Sequence, residues 1–135
     1  MGAHLHFDCY SGISGDMTLG ALVDVGVPFS DLVSGLKRLR LSGFTLRKRR
    51  VRRGAIHATK VDVVITTGLR KPLPLHRIHA ILSASRLPDK IKQQSRSVFD
   101  LLAEAEGHAH RVAKGHVHFH EVGVLDSFVD IVGGL

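Results

Sequence analysis

Along the chain the first legible pattern is an alternation. In His4-Leu5-His6-Phe7-Asp8-Cys9 polar and apolar side chains take turns, which predicts a short strand. Small residues, Ser11-Gly12-Ile13-Ser14-Gly15-Asp16, interrupt it. From Met17 the apolar spacing turns helical through Leu19, Leu22, Val23 and Val25, with Gly26 placed to cap the C-terminus. Pro28 suits the start of a second helix carrying Leu32, Val33, Leu36 and Leu39, which Ser42-Gly43 ends. Residues 44–53 and 56–66 read as two strands joined across Gly54-Ala55, a hairpin. Pro72 and Pro74 make 68–74 a loop. A short helix follows over 75–83, and a longer one over 88–110 with Ile91, Ser95, Val98, Leu101, Leu102 and Ala105 on one stripe. The last helical pattern starts at Leu125 and breaks off in Ile131-Val132-Gly133-Gly134-Leu135, as expected of a fragment or of the first domain of a longer protein. An early lone strand and a central hairpin predict an α+β fold: a small, largely antiparallel sheet with helices packed on one face.

Composition narrows the class. A length of 135 residues fits a single domain, 1–135. Hydrophobic residues at 44% and charged residues at 23% exclude wholesale disorder. No run approaches the ~18 apolar residues of a membrane span, so no membrane partner is expected. The N-terminus lacks the pattern of a secretory signal, and the single cysteine, Cys9, excludes an internal disulfide framework. Both point to a reducing, cytoplasmic setting.

Charge adds a direction. The formal net charge is +7, and nine of the 19 basic residues lie between Lys37 and Arg53, with no Asp or Glu from Leu32 to Val61. Such a field draws nucleic acid, a nucleotide, a phosphorylated metabolite or an acidic partner, unless it is simply a solvated basic strand pair. Phe44 is the one aromatic residue in that stretch, too few for single-strand stacking, so nucleic acid is a runner-up.

Three segments could carry chemistry. In the bend Ser11-Gly12-Ile13-Ser14-Gly15, glycines allow close backbone approach, Ser11 and Ser14 supply hydroxyls, and the following helix N-terminus would aim N–H groups at an anion such as phosphate. Neither the Walker A nor the dinucleotide glycine spacing is met. Asp16 could instead cap that helix itself, or converge with Asp8 on a metal ion. Second, five of the ten histidines fall between His108 and His120. If 116–120 is extended, His116, His118 and His120 share one face, roughly 7 Å between neighbours, while Val117 and Phe119 fill the other. Imidazole beside the carboxylate of Glu121 suits nickel, zinc, copper or iron, and one cysteine excludes a Cys-type structural zinc site. The alternative is a polar strand face of unligated histidines. Third, Asp126 and Asp130 are i, i+4 neighbours, a wet helix face in isolation but, beside those histidines, a candidate cation site.

Weaker candidates surround these. Arg77, between His76 and His79, could clamp a phosphate or belong to a surface loop. His108 and His110 suit a helix C-terminus without any function. His4, His6 and His57 read as structural or surface residues.

Taken together, residues 8–17 (Asp8-Cys9-Tyr10-Ser11-Gly12-Ile13-Ser14-Gly15-Asp16-Met17), Val117-His118-Phe119-His120-Glu121-Val122-Gly123 and Asp126-Ser127-Phe128-Val129-Asp130-Ile131-Val132-Gly133 resemble the LarC family of nickel-insertion proteins, from lactate racemase maturation. Leu102-Ala103-Glu104-Ala105-Glu106-Gly107 and Leu19-Gly20-Ala21-Leu22-Val23-Asp24-Val25-Gly26 are similar too. The likeness runs from Leu5 to the end and covers the family's N-terminal region only. Three departures stand out. Leu75-His76-Arg77-Ile78-His79 replaces a His-Arg-His-Leu-like run, Arg111 stands where the family commonly has Gly, and His116 drops out of any inherited site.

The resemblance implies a chelatase (cyclometallase) that places nickel into a pyridinium bisthiocarboxylate mononucleotide, giving the nickel-pincer nucleotide cofactor. It implies dependence on CTP with Mg or Mn, whose site belongs to a C-terminal region or subunit that this chain lacks; a homo-oligomer is also expected. On this reading His118, His120, Glu121, Asp126, Asp130, Asp8 and Asp16 are the candidate metal ligands. Ser11, Gly12, Ser14 and Gly15 would hold the substrate phosphate, with the Lys37–Arg53 field steering it in. His120 or Glu121 would take the ring proton lost when the nickel–carbon bond forms. Two other classes compete: a non-catalytic nickel-binding module or metallochaperone, and a basic nucleic-acid-binding domain.

Overall fold

The computed structural model describes residues 4–67, 72–117, 119 and 124–135. Its elements run α1 (Gly15–Val25), α2 (Phe29–Lys37), β1 (Phe44–Arg53), β2 (Ile56–Ile65), α3 (Leu75–Ala84), α4 (Asp89–His110), a 3₁₀ turn (Lys114–His116) and α5 (Val124–Gly133). The two strands form an antiparallel hairpin in continuous register, Phe44 opposite Ile65 and Arg53 opposite Ile56. Gly54 turns it at φ +59°, a left-handed value that favours glycine. The fold is the α+β arrangement expected.

Local chemistry accounts for the helix ends. Pro28, Pro74 and Pro88 stand at the N-caps of α2, α3 and α4, where a missing N–H costs nothing and the extended ψ turns the chain into the helix. Gly26 closes α1 at φ +129°. Arg111 closes α4 in the left-handed region at φ 54°, a conformation a residue with a Cβ adopts at some cost.

The core is largely aliphatic, as the composition predicts, with phenylalanines at its centre. Leu19, Ile78, Leu82, Val61, Phe128 and Val129 are fully buried. Phe99 of α4 meets Phe119 edge-on at 6.3 Å and Phe128 of α5 at 5.1 Å. In the hairpin, Phe44, Leu46 and Val63 pack on this core around buried Val61, whereas Arg47, Lys48 and Arg49 are exposed. Lys48 Nζ sits 5.6 Å from the Phe29 ring centroid, a cation over an aromatic face. The hairpin is thus apolar where it joins the body and cationic where it leaves it.

Four expectations differ from the structure. Residues 4–9 form no strand; they run irregularly and exposed, paired with neither strand of the hairpin. The buried stripe of α4 is Ser95, Phe99, Ala103 and Gly107, which keeps Ser95 of the predicted one; Ile91 and Leu102 pack partly buried beside the core, but Val98 is 37% and Leu101 66% exposed. The aromatic contacts of Phe99 fix the helix rotation, and apolar spacing alone carries no weight for ring size. His116 lies in the 3₁₀ turn and is exposed, so it is not the first member of an extended histidine face; Gly115 and Lys114 before it let the chain coil. Finally, helix α1 starts two residues earlier than expected, at Gly15 rather than Met17, with Ser14 rather than Asp16 at its N-cap.

Candidate functional site

The site is built where α1 and α5 meet the hairpin. A Cβ on Gly15 would overlap the Asp130 side chain, so only glycine lets the start of α1 approach α5 this closely. Asp126 and Asp130, one turn apart on α5, then face Asp16 of α1 and Asp62 of β2 across a pocket of about 320 Å³ floored by Val61 and Val63. Ser14 Oγ donates a hydrogen bond to the Asp16 carboxylate. Lys60 Nζ lies 3.2 Å from Asp62 Oδ1 and 4.0 Å from Asp16 Oδ2, the cation that offsets part of this acidity.

Packing four carboxylates around an apolar floor perturbs the two on α5. Burial and the neighbouring Asp16 and Asp126 carboxylates push Asp130 up to about 6. Burial also raises Asp126. Asp62 is held below the usual carboxylate range by hydrogen bonds from Arg49 and Lys60. Carboxylates crowded in this way favour a proton or a cation between them.

On the other side of Asp16 a larger groove, about 890 Å³, opens between α1 and the hairpin. Gly20 of α1 rests against the Thr59 carbonyl, leaving no space for a Cβ, which brings α1 onto β2. The groove runs from Ser14 and Asp16 past Gly20 to Asp24, and is walled by Arg49, Arg50, Arg52, Arg53 and Lys60. Asp24 is held below its ordinary value by hydrogen bonds from Thr59 and Arg50. The bend at the start of α1 and the acids of α5 therefore come together, with the basic stretch beside them.

Not every predicted residue joins this centre. Ser11 and Gly12 occupy an exposed turn, closed by the Gly12 N–H donating to the Cys9 carbonyl at 3.1 Å, and neither lines the groove. Asp8 is exposed on the irregular N-terminal stretch and lines neither the groove nor the acidic pocket. His118, His120 and Glu121 lie outside the described residues; Val117 and Phe119 are both buried, as the apolar half of that alternation predicts. Among the described residues, no group of three or more His, Cys, Asp or Glu side chains is arranged to hold a metal ion. His79 pairs instead with Asp100 at 3.5 Å, next to Lys114 at 3.4 Å from the same oxygen. Asp24, Thr59 and Lys60 were not singled out from the sequence. The available signal was the four-residue spacing Asp16-Gly20-Asp24, which sets two acids and a contact glycine on one helical face.

The acidic pocket and the cationic groove adjoin at Asp16, which lines both. The chain belongs to the nickel insertion protein family, whose match covers residues 5–135. A pyridinium-3,5-bisthiocarboxylic acid mononucleotide nickel insertion protein of Geobacillus kaustophilus is 42% identical over 137 residues, covering 95% of this chain and 33% of its own. The protein of the same name in Staphylococcus epidermidis is 40% identical over 135 residues, covering 96% and 33%. A protein of Syntrophobacter fumaroxidans, also named for nickel insertion, is 47% identical over 129 residues, covering 95% and 32%. The chain thus spans about a third of the length of these relatives. No solved structure matches it. No helix among the described residues is long and apolar enough to cross a membrane.

Proposed function

We propose that this chain binds nickel(II) and a pyridinium bisthiocarboxylate mononucleotide side by side and takes part in inserting the metal into the nucleotide. The observation that carries this reading is the meeting of the acidic pocket and the basic groove at Asp16, which lines both, in a member of the nickel insertion family. Nickel is here a substrate to be passed on. Asp126, Asp130 and Asp16, which are not by themselves arranged to hold a metal ion, would receive it only together with His118, His120 and Glu121. A mixed oxygen and imidazole set suits a divalent ion of this kind, and hard oxygen donors leave it exchangeable with softer sulfur.

The chemistry then needs one proton removed. As nickel bonds to the two sulfurs and to a ring carbon, that carbon loses its hydrogen as H⁺, with no change in the oxidation state of any partner. His120 or Glu121 would take the proton at an imidazole nitrogen or carboxylate oxygen. We assign the CTP and Mg or Mn dependence, and the partner region that would supply it, to the two thirds of the family protein that this chain does not span, and derive no step through them. A cytoplasmic setting belongs to the same reading.

Calorimetric titration of the chain with nickel, zinc and magnesium tests it. Nickel should bind well ahead of magnesium, and the His118→Ala/His120→Ala and Asp126→Asn/Asp130→Asn variants should each lose at least about tenfold in nickel affinity. Undiminished nickel binding in both would end the proposal. Nickel binding wholly indifferent to a pyridinium mononucleotide would favour a carrier module over an insertion enzyme.

A further inference from the structure

One constellation in the groove has no part in holding nickel. Arg50 Nη1 donates to Asp24 Oδ1 at 2.5 Å and to Thr59 Oγ1 at 2.9 Å, and the Thr59 hydroxyl itself donates to Asp24 Oδ1 at 2.7 Å. These bonds tie β1, β2 and α1 together through a single guanidinium nitrogen. Nε and Nη2 of Arg50 carry no bond among the described residues, so the rest of the fork is oriented but unspent. A guanidinium fixed in this way is suited to bidentate capture of a tetrahedral oxyanion. Arg52 and Arg53 line the same groove and pair with no carboxylate among the described residues. A merely solvated basic face would have no reason to lock one arginine through two partners on different elements.

We propose that this groove is a phosphate-monoester site, in which Arg50, positioned by Asp24 and Thr59, grips the phosphate and Arg52 and Arg53 complete the charge. The groove's volume of about 890 Å³ is in the range that accommodates a mononucleotide. The choice of a pyridinium mononucleotide as ligand rests on the nickel-insertion reading; the phosphate recognition does not. Phosphate capture is thereby assigned to the hairpin, away from the exposed turn at Ser11 and Gly12.

The test is calorimetric titration of the 135-residue chain, without nickel, using nicotinate mononucleotide, the corresponding riboside without phosphate, and inorganic phosphate as competitor. The mononucleotide should bind at least about tenfold more tightly than the riboside, and phosphate should compete. Arg50→Ala should abolish that preference, Arg50→Lys should restore only part of it, and Thr59→Val should weaken it severalfold. Because Arg50 is exposed, these variants should keep the wild-type Tm; if Arg50→Ala does not, the Arg52→Ala/Arg53→Ala variant carries the test and should lose about tenfold. Equal affinity for nucleotide and riboside, variants that bind like wild type, or tighter binding of a short oligonucleotide than of the mononucleotide would each overturn the assignment. An Asp126→Asn/Asp130→Asn variant that keeps the preference after losing nickel would support it, so the two readings fail separately.

Discussion

Asp130→Asn isolates the electrostatic cost of the acidic pocket. The side chain is half-buried, faces Asp16 on α1, Asp126 on its own helix and Asp62 on β2, with Lys60 the nearby cation, and is pushed up to about 6. A folded-state value above the unfolded 3.8 means the folded protein holds the proton more tightly. Stability from this group is therefore fully present below about pH 3.8 and lost as pH rises through about 6. The displacement corresponds to about 3 kcal/mol against the ionised form; solvent screening at a half-buried site reduces it to about 1–2 kcal/mol. Asparagine keeps the shape without the charge. The metal-free variant should thus be more stable than wild type by about 1–2 kcal/mol at pH 7.5, with the gap closing as pH falls toward 4. Urea unfolding of both proteins from pH 4 to 8 measures it, and histidine titration cancels in the difference. Parallel stability curves across that range would refute the reasoning.

Four further outcomes follow from the packing. Gly20→Ala sets a methyl against the Thr59 carbonyl, which cannot rotate away; a loss of about 1–3 kcal/mol in denaturant unfolding is expected, together with weaker mononucleotide binding as α1 is pushed off the hairpin. Ser95 is fully buried and its hydroxyl has no partner among the described residues, so Ser95→Ala should raise stability by about 1 kcal/mol. Arg111→Gly should add about 1 kcal/mol by relieving the left-handed cap at φ 54°, read as an upward shift in Tm. Nickel and the mononucleotide should each raise the other's affinity by the same factor, measured by titrating one in the presence of the other.

Much of the fold was legible because it rests on local signals. The hairpin ends are set by Gly54 and by alternation, and the prolines at 28, 74 and 88 mark three helix starts. What periodicity could not supply was the rotation of α4, which Phe99 decides through rings that arrive from residues 119 and 128. The N-terminal alternation is a true strand signal without a partner among the described residues, since a strand needs a neighbour that sequence pattern does not guarantee. Within the site, Asp126 and Asp130 were legible from their spacing; their meeting with Asp16 was not, because the close approach of Gly15 to Asp130 joins residues 115 apart and leaves no local trace. Asp24 and Thr59 were not, because their meaning depends on Arg50, 26 and nine residues away, and long-range pairing leaves no local trace.

The charge layout bears on how metal and nucleotide could act on one another. Asp16 lines both cavities, and Lys60 reaches from the groove wall toward Asp16 and Asp62. A divalent cation settling among Asp16, Asp126 and Asp130 would neutralise carboxylates that now repel one another, and would add positive potential beside the groove. A phosphate dianion against Arg50, Arg52 and Arg53 would add negative potential beside the pocket. Opposite charges brought to adjoining sites favour each other, and the reciprocity is thermodynamic rather than a matter of order. Asp130 makes the same point with a proton: the group that holds H⁺ up to about pH 6 would release it as a cation takes its place. On the proposed reading the metal would leave these carboxylates for sulfur and carbon, and Asp130, whose hold on a proton is strengthened by burial and by its neighbours, would be the group best placed to take one up as the metal departs.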